Sequence, residues 1–181
     1  MRIFFTFFFL TLQVNCFAQR SDTDMIEVTG KVQLQLKQEV EKEILTFKKH
    51  LVNKEDTASI AFMVDTFRVE RFEAKWLKLN YSDYSMRMAT NTAAKMYDDL
   101  LNKYYKKLMN MLNAADKKKL LEAQKAWLAY RDSEEGLIIA VDNEAYSGGT
   151  IEGLADASSW LDLVKQRTIM LFDYYEVISQ R

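Results

Sequence analysis

The sequence predicts an all-α fold, an antiparallel bundle of about five helices, two of them long. Three observations carry this. The 181 residues include no proline, where average usage would supply about nine, and proline is the residue that breaks helix interiors. Only five glycines occur, at 30, 136, 148, 149 and 153, so the main irregularity belongs near residue 148. Apolar residues recur every three or four positions over most of the chain, which is the helical period.

The elements follow in order. Residues 1–18 read as a signal peptide. Arg2 gives the positive start, 3–12 is apolar except for Thr6 and Thr11, and Cys16-Phe17-Ala18 places small residues three and one before a cut at Gln19. The apolar run is too short for a permanent membrane span. A lipoprotein anchored through Cys16 fits less well, because Gln13 and Asn15 stand where an aliphatic and a small residue are usual. Residues 19–30 read as a polar, flexible tail, and 31–181 as a single helical domain. Val32, Leu34 and Leu36 alternate like a strand, but Leu36, Val40, Ile44, Phe47 and Leu51 are spaced as a helix over about 31–52. A polar turn follows. Ile60, Met63, Val64, Phe67, Phe72 and Trp76 mark a second helix over about 57–79, closing an N-terminal hairpin (31–80).

Ser82 is a plausible N-cap for the third helix, whose stripe is Tyr97, Leu101, Tyr104, Tyr105, Leu108 and Leu112. Asn113 followed by Asp116 is a variant capping box opening a fourth helix to about 144. That helix is expected to face inward through Leu120, Trp127, Leu128 and 138–141, with Gly136 marking a kink. Ser147-Gly148-Gly149 reads as a loop. Thr150 then caps a fifth helix buried through Leu154, Leu161, Val164, Leu171 and Tyr175. Short connections make successive helices antiparallel.

Polar residues interrupt these stripes. Gln124 and Arg131, seven apart, share a face with Leu120 and Trp127. Arg167 stands between Leu163 and Met170/Leu171. A guanidinium in such a place needs a carboxylate and further acceptors, and Asp98 and Asn102 are the candidate partners. The reading is a structural polar network of Asp98, Asn102, Gln124, Arg131, Asp132 and Arg167 that fixes helix register. Its loss through Arg131→Ala would cost about 3–5 kcal/mol. The alternative is an open polar pocket.

The ordered series Asp98-Asp99-Leu100-Leu101-Asn102, Gln124 with Trp127 and Tyr130-Arg131-Asp132, then Ser147-Gly148-Gly149-Thr150-Ile151, and finally 163–168, resembles the LprI-like family of lysozyme inhibitors. The match spans about residues 84–175, within an LprI-like region at 81–181. The resemblance implies a small, helical, exported bacterial protein that blocks the lysozyme cleft and protects cell-wall peptidoglycan. The chain departs from the family at two positions where relatives often carry cysteine, here Ala89 and Glu135. Both are missing together, as expected if relatives join them in one disulfide.

Charge points the same way without the family. Residues 132–156 hold seven acids and no Lys or Arg, while Lys103, Lys106, Lys107, Lys117, Lys118 and Lys119 gather near the turn between the third and fourth helices. The ordinary reading is solvated surface. The functional reading is that Glu144, Tyr146, Ser147, Gly148, Gly149, Thr150 and Glu152 meet a basic partner, as animal-type lysozymes are. The rival function is a periplasmic structural or adaptor module that binds another envelope protein. No enzyme is expected: Glu134 and Glu135 are adjacent and point about 100° apart on a helix, so they make no ready acid–base pair, and no nucleophile elbow or phosphate loop occurs. No cofactor and no metal are expected, since His50 is the lone histidine and Cys16 leaves with the signal peptide. The mature chain, near −2 in net charge, has no basic excess to attract nucleic acid.

Overall fold

The computed structural model describes residues 25–51, 56–146 and 151–180. The described residues form five helices: α1 (Gly30–Leu51), α2 (Thr57–Leu79), α3 (Asp83–Met111), α4 (Ala114–Tyr146) and α5 (Glu152–Ser179). The bundle is all-α, as expected. The signal segment 1–18 and the loop residues 147–150 lie outside the described residues. Of the polar segment before α1, residues 25–29 are tied down: the Ile26 N–H donates to the Leu79 carbonyl at 2.9 Å.

Caps set the helix starts. Asp56 Oδ1 accepts from the backbone N–H groups of Ala58 (2.7 Å) and Ser59 (3.1 Å). Ser82 Oγ accepts from the Ser85 N–H at 3.3 Å. Asn113 Oδ1 accepts from the Asp116 N–H at 3.0 Å while Asn113 Nδ2 donates to Asp116 Oδ2 at 2.7 Å. These bonds satisfy N–H groups that the first helical turn leaves without partners. The strand-like alternation at 32–36 is overridden, because the helical stripe Leu36, Val40, Ile44 and Leu51 buries against α2. The helix α4 runs unbroken through Gly136.

Successive helices run antiparallel, so α3 and α5 run parallel. Arg87 approaches Gly153, Thr168 Oγ1 donates to the Tyr97 carbonyl at 3.1 Å, and Tyr104 meets Tyr175 at 6.1 Å between ring centroids. This is the most extensive interface in the molecule. Ala89, Ala93 and Ala94, all buried, keep α3 slim enough to be packed closely on several sides. At the other end Phe62 of α2 stacks on Phe172 of α5 at 3.9 Å, and Tyr104 sets its edge against both, at 5.2 and 5.4 Å. A second apolar cluster joins α1 to α2 through Val40, Ile44, Phe72 and Trp76.

Asp65 fastens α2 to α3. It is buried, ion-paired to Lys103 and Arg68 (3.3 Å), and accepts from the Tyr104 hydroxyl at 2.8 Å. Burial first, and then this carboxylate, push the Tyr104 hydroxyl well above the ordinary tyrosine value.

The inward face expected of α4 needs correction. Among the described side chains of this helix only Leu120 and Gln124 are buried. Trp127 is half-buried, whereas Leu128, Ile139 and Val141 are exposed. The reason is compositional: α4 carries apolar residues all round its circumference, so spacing alone does not select a face.

Candidate functional site

The side of the bundle built by α3, α4 and α5 is open. Between α3 and α4 lies a groove of about 440 Å³, bordered by Asp98, Leu101, Asn102 and Tyr105 on α3 and by Gln124, Trp127 and Arg131 on α4. A second hollow of about 330 Å³ is lined by Arg87, Asn91, Glu135, Gly153, Asp156 and Trp160.

The residues expected to form one polar network fall into three separate groups. Gln124 and Arg167 meet inside: Gln124 Oε1 accepts from Arg167 Nε at 3.1 Å and Nη2 at 3.0 Å, and Arg167 Nη1 lies 3.3 Å from Met170 Sδ. The buried guanidinium thus rests on an amide, a thioether and the Trp127 ring (5.8 Å) rather than on a carboxylate. Burial accordingly lowers its pKa from the usual arginine value. Arg131 takes a different partner from the one expected. Its Nε and Nη2 donate to Asp132 Oδ1 at 2.9 and 2.7 Å, and its guanidinium lies between Trp127 (5.5 Å) and Trp160 (5.3 Å). Asp98 and Asn102 bond to each other along α3 at 3.2 Å. Spacing along one helix placed Gln124 and Arg131 on a shared face, but the distance from α4 to α3 decides the partners. The groove is wide enough there to leave Asp98 and Asn102 to themselves.

At the far end, α4 finishes where α5 begins. Asp142 faces Asp156. Burial, a hydrogen bond with Asp142 and the charges of Asp142 and Glu152 hold the Asp156 carboxyl above its ordinary value. Glu144 is exposed and Glu152 partly buried. The side chain of Tyr146 and all of Ser147, Gly148, Gly149 and Thr150 lie outside the described residues.

Sequence reasoning missed Arg87, Gly153 and Trp160. A Cβ on Gly153 would come within 2.7 Å of Arg87 Nη1, so this glycine lets the guanidinium lie over the first turn of α5. The only signal was a glycine inside the first turn of a helix, where the chain gains nothing conformationally. Of the two positions at which the resemblance implied cysteine in relatives, Ala89 is fully buried and Glu135 is exposed.

Fold and groove together define an all-helical protein with an open polar and aromatic face between α3 and α4. Among the described residues no three His, Cys, Asp or Glu side chains are grouped so as to hold a metal ion, and no helix is long and apolar enough to cross a membrane. The family model described as lysozyme inhibitor LprI matches residues 78–171, a little over half of the chain. The chain belongs to that family. No curated protein and no solved structure matched it. The matched span takes in α3, α4 and most of α5, and so the whole groove; α1 and nearly all of α2 lie outside it.

Proposed function

We propose that the protein is exported and inhibits a lysozyme, and that the end where α4 finishes and α5 begins is the part that enters the enzyme's cleft. Family membership supports the choice of partner. The observation that carries the choice of surface is charge. Residues 132–156 contain seven acids and no Lys or Arg, and the antiparallel pairing of α4 and α5 brings Glu135, Asp142, Glu152 and Asp156 to one end of the bundle. Burial first, and then the neighbouring Asp142 and Glu152, hold the Asp156 carboxyl above its ordinary value. A concentrated negative potential attracts a basic enzyme and speeds encounter, with a dependence on ionic strength. On this reading Glu144, Tyr146 and Glu152 flank the inserted loop 147–150.

The test is binding to a basic animal-type lysozyme, with cell-wall lysis followed in parallel across salt concentrations. Micromolar or tighter binding at low salt, weakening as salt rises, together with loss of lysis, is the expected result. The triple variant Glu144→Lys, Tyr146→Ala, Glu152→Lys should lose both. Unchanged inhibition by that variant would remove this end of the bundle from the interface. Absence of binding by the parent would mean that the partner is a different envelope protein.

A further inference from the structure

Where α3 finishes and α4 begins, the ends of α3 and α5 and the start of α4 form a pocket of about 400 Å³, within the range of about 300–1,000 Å³ usual for small-molecule sites. Its walls are hydrocarbon: Leu108, Leu112, Leu120, Ala123, Val177 and Ile178. Asp116 and Lys119, which also line it, pair with each other at 2.9 Å. Tyr174 completes the wall. On the same face of α5 as Tyr174 stand Met170, one turn earlier, and Arg167, two turns earlier. Arg167 is only 8% exposed, and among the described residues no carboxylate pairs with it. Its Nε and Nη2 are taken up by Gln124. Its Nη1 has only the thioether of Met170, a weak acceptor on a side chain that is itself exposed. The charge of Tyr174 is felt at this guanidinium. A buried cation without a counter-charge is strongly disfavoured, so Arg167 is a charge in want of an anion.

We propose that this pocket binds a long-chain carboxylate such as a free fatty acid, its aliphatic chain along the apolar walls and its carboxylate on Arg167 Nη1 in place of the Met170 sulfur. Two independent features select that occupant. The walls take a hydrocarbon chain, and burying the chain removes apolar surface from water. The guanidinium takes the head, because it lacks the one thing that a neutral or cationic amphiphile cannot bring, a negative charge. A carboxylate there accepts from Nη1 and from the Tyr174 hydroxyl together, and charge-assisted bonds of this kind are roughly twice as strong as neutral ones. Met170 is unbranched and flexible, so it can swing aside to admit the head. The orientation follows as well. Asp116 and Lys119 neutralise each other, so a charged head gains little beside them; the head goes down to Arg167 and the chain points up towards Leu112 and Ile178.

Titration calorimetry of the purified protein with decanoate, kept below its micelle concentration, should give a single saturable site with micromolar Kd. Decanol should bind about tenfold more weakly or worse, the factor that one hydrogen bond to a charged group supplies, and decyltrimethylammonium should not bind. The carboxyl resonance of isotopically labelled decanoate should titrate at lower pH when bound than when free, because the guanidinium favours the ionised form. Ala123→Phe fills the pocket from an exposed position, so it should keep the melting temperature and abolish binding. Arg167→Gln, where its melting curve shows it folded, should bind decanoate and decanol alike. Equal affinity of the parent for decanoate and decanol, absence of a saturable site, or decanoate binding unchanged by Ala123→Phe overturns the proposal. A parent that ignores decanoate but loses lysozyme binding on Ala123→Phe overturns it as well, and assigns the pocket to that enzyme.

Discussion

The α3–α5 interface and the seat of α4 lie side by side and are built on opposite plans. The first is closed by small residues at one end and by an aromatic cluster at the other, with Tyr97, Tyr104, Leu171 and Thr168 almost wholly buried. The second is held at its middle by Gln124 and Arg167, flanked by Leu120 on one side and by Trp127 and Arg131 on the other, with grooves along its length. Cohesion therefore resides in α2, α3 and α5, and α4 is left with surface to spare. A helix that buries little of its own apolar area retains it for something else, and here that helix also carries the acidic end of the molecule.

The contrast can be broken at its strong side first. Phe172→Ala removes the ring that stacks on Phe62 and receives the edge of Tyr104. It should destabilise the protein by about 3–5 kcal/mol, read as a shift of the denaturant midpoint at unchanged slope. A loss under about 1 kcal/mol would mean that the aromatic cluster is not the centre of cohesion. Arg131→Ala probes the weak side. With its carboxylate partner on the adjacent, exposed Asp132 and its charge against two indole rings, its removal should cost only about 1–2 kcal/mol, well short of the penalty for a buried pair. The smallest effect is expected at the acidic end. Because the pKa of Asp156 is raised in the folded protein, ionising it opposes folding; the folded state gains relative stability as pH falls through that pKa and loses it as pH rises. Asp156→Asn should therefore melt slightly above the parent at neutral pH, and the difference should shrink towards about pH 4. A gap that stays constant with pH would show that the Asp156 carboxyl is not raised in the folded protein.

The fold was legible in the sequence where one face of a helix is unambiguous. The stripe of α1, the stripe of α3 from Tyr97 to Leu108, and the caps at Ser82 and Asn113 are local signals, and local geometry honours them. The inward face of α4 was not legible, because Leu120, Leu121, Leu128, Leu137, Ile139 and Val141 surround the helix and no spacing rule chooses among them. The groove was half legible. Its borders, Asp98, Asn102, Gln124, Trp127 and Arg131, stand out as polar or aromatic residues in apolar stripes, but their partners depend on how far α4 stands from α3. The approach of Arg87 to Gly153 joins residues 66 positions apart in the sequence, and nothing near either one announces the other.

The fastening at Asp65 reaches beyond its own ion pairs. The family's shared stretch begins at residue 78, yet a chain begun there would lose the carboxylate that receives the Tyr104 hydroxyl, the ring that stacks on Phe172, and Glu70, which accepts from the hydroxyl of Tyr97 and the amine of Lys165. Two tyrosine hydroxyls would lose their acceptors, and an aromatic slot would open to water. The N-terminal hairpin is thus a wall of the core in this chain, and the stretch from residue 78 onward relies on it for the partners of its own tyrosines.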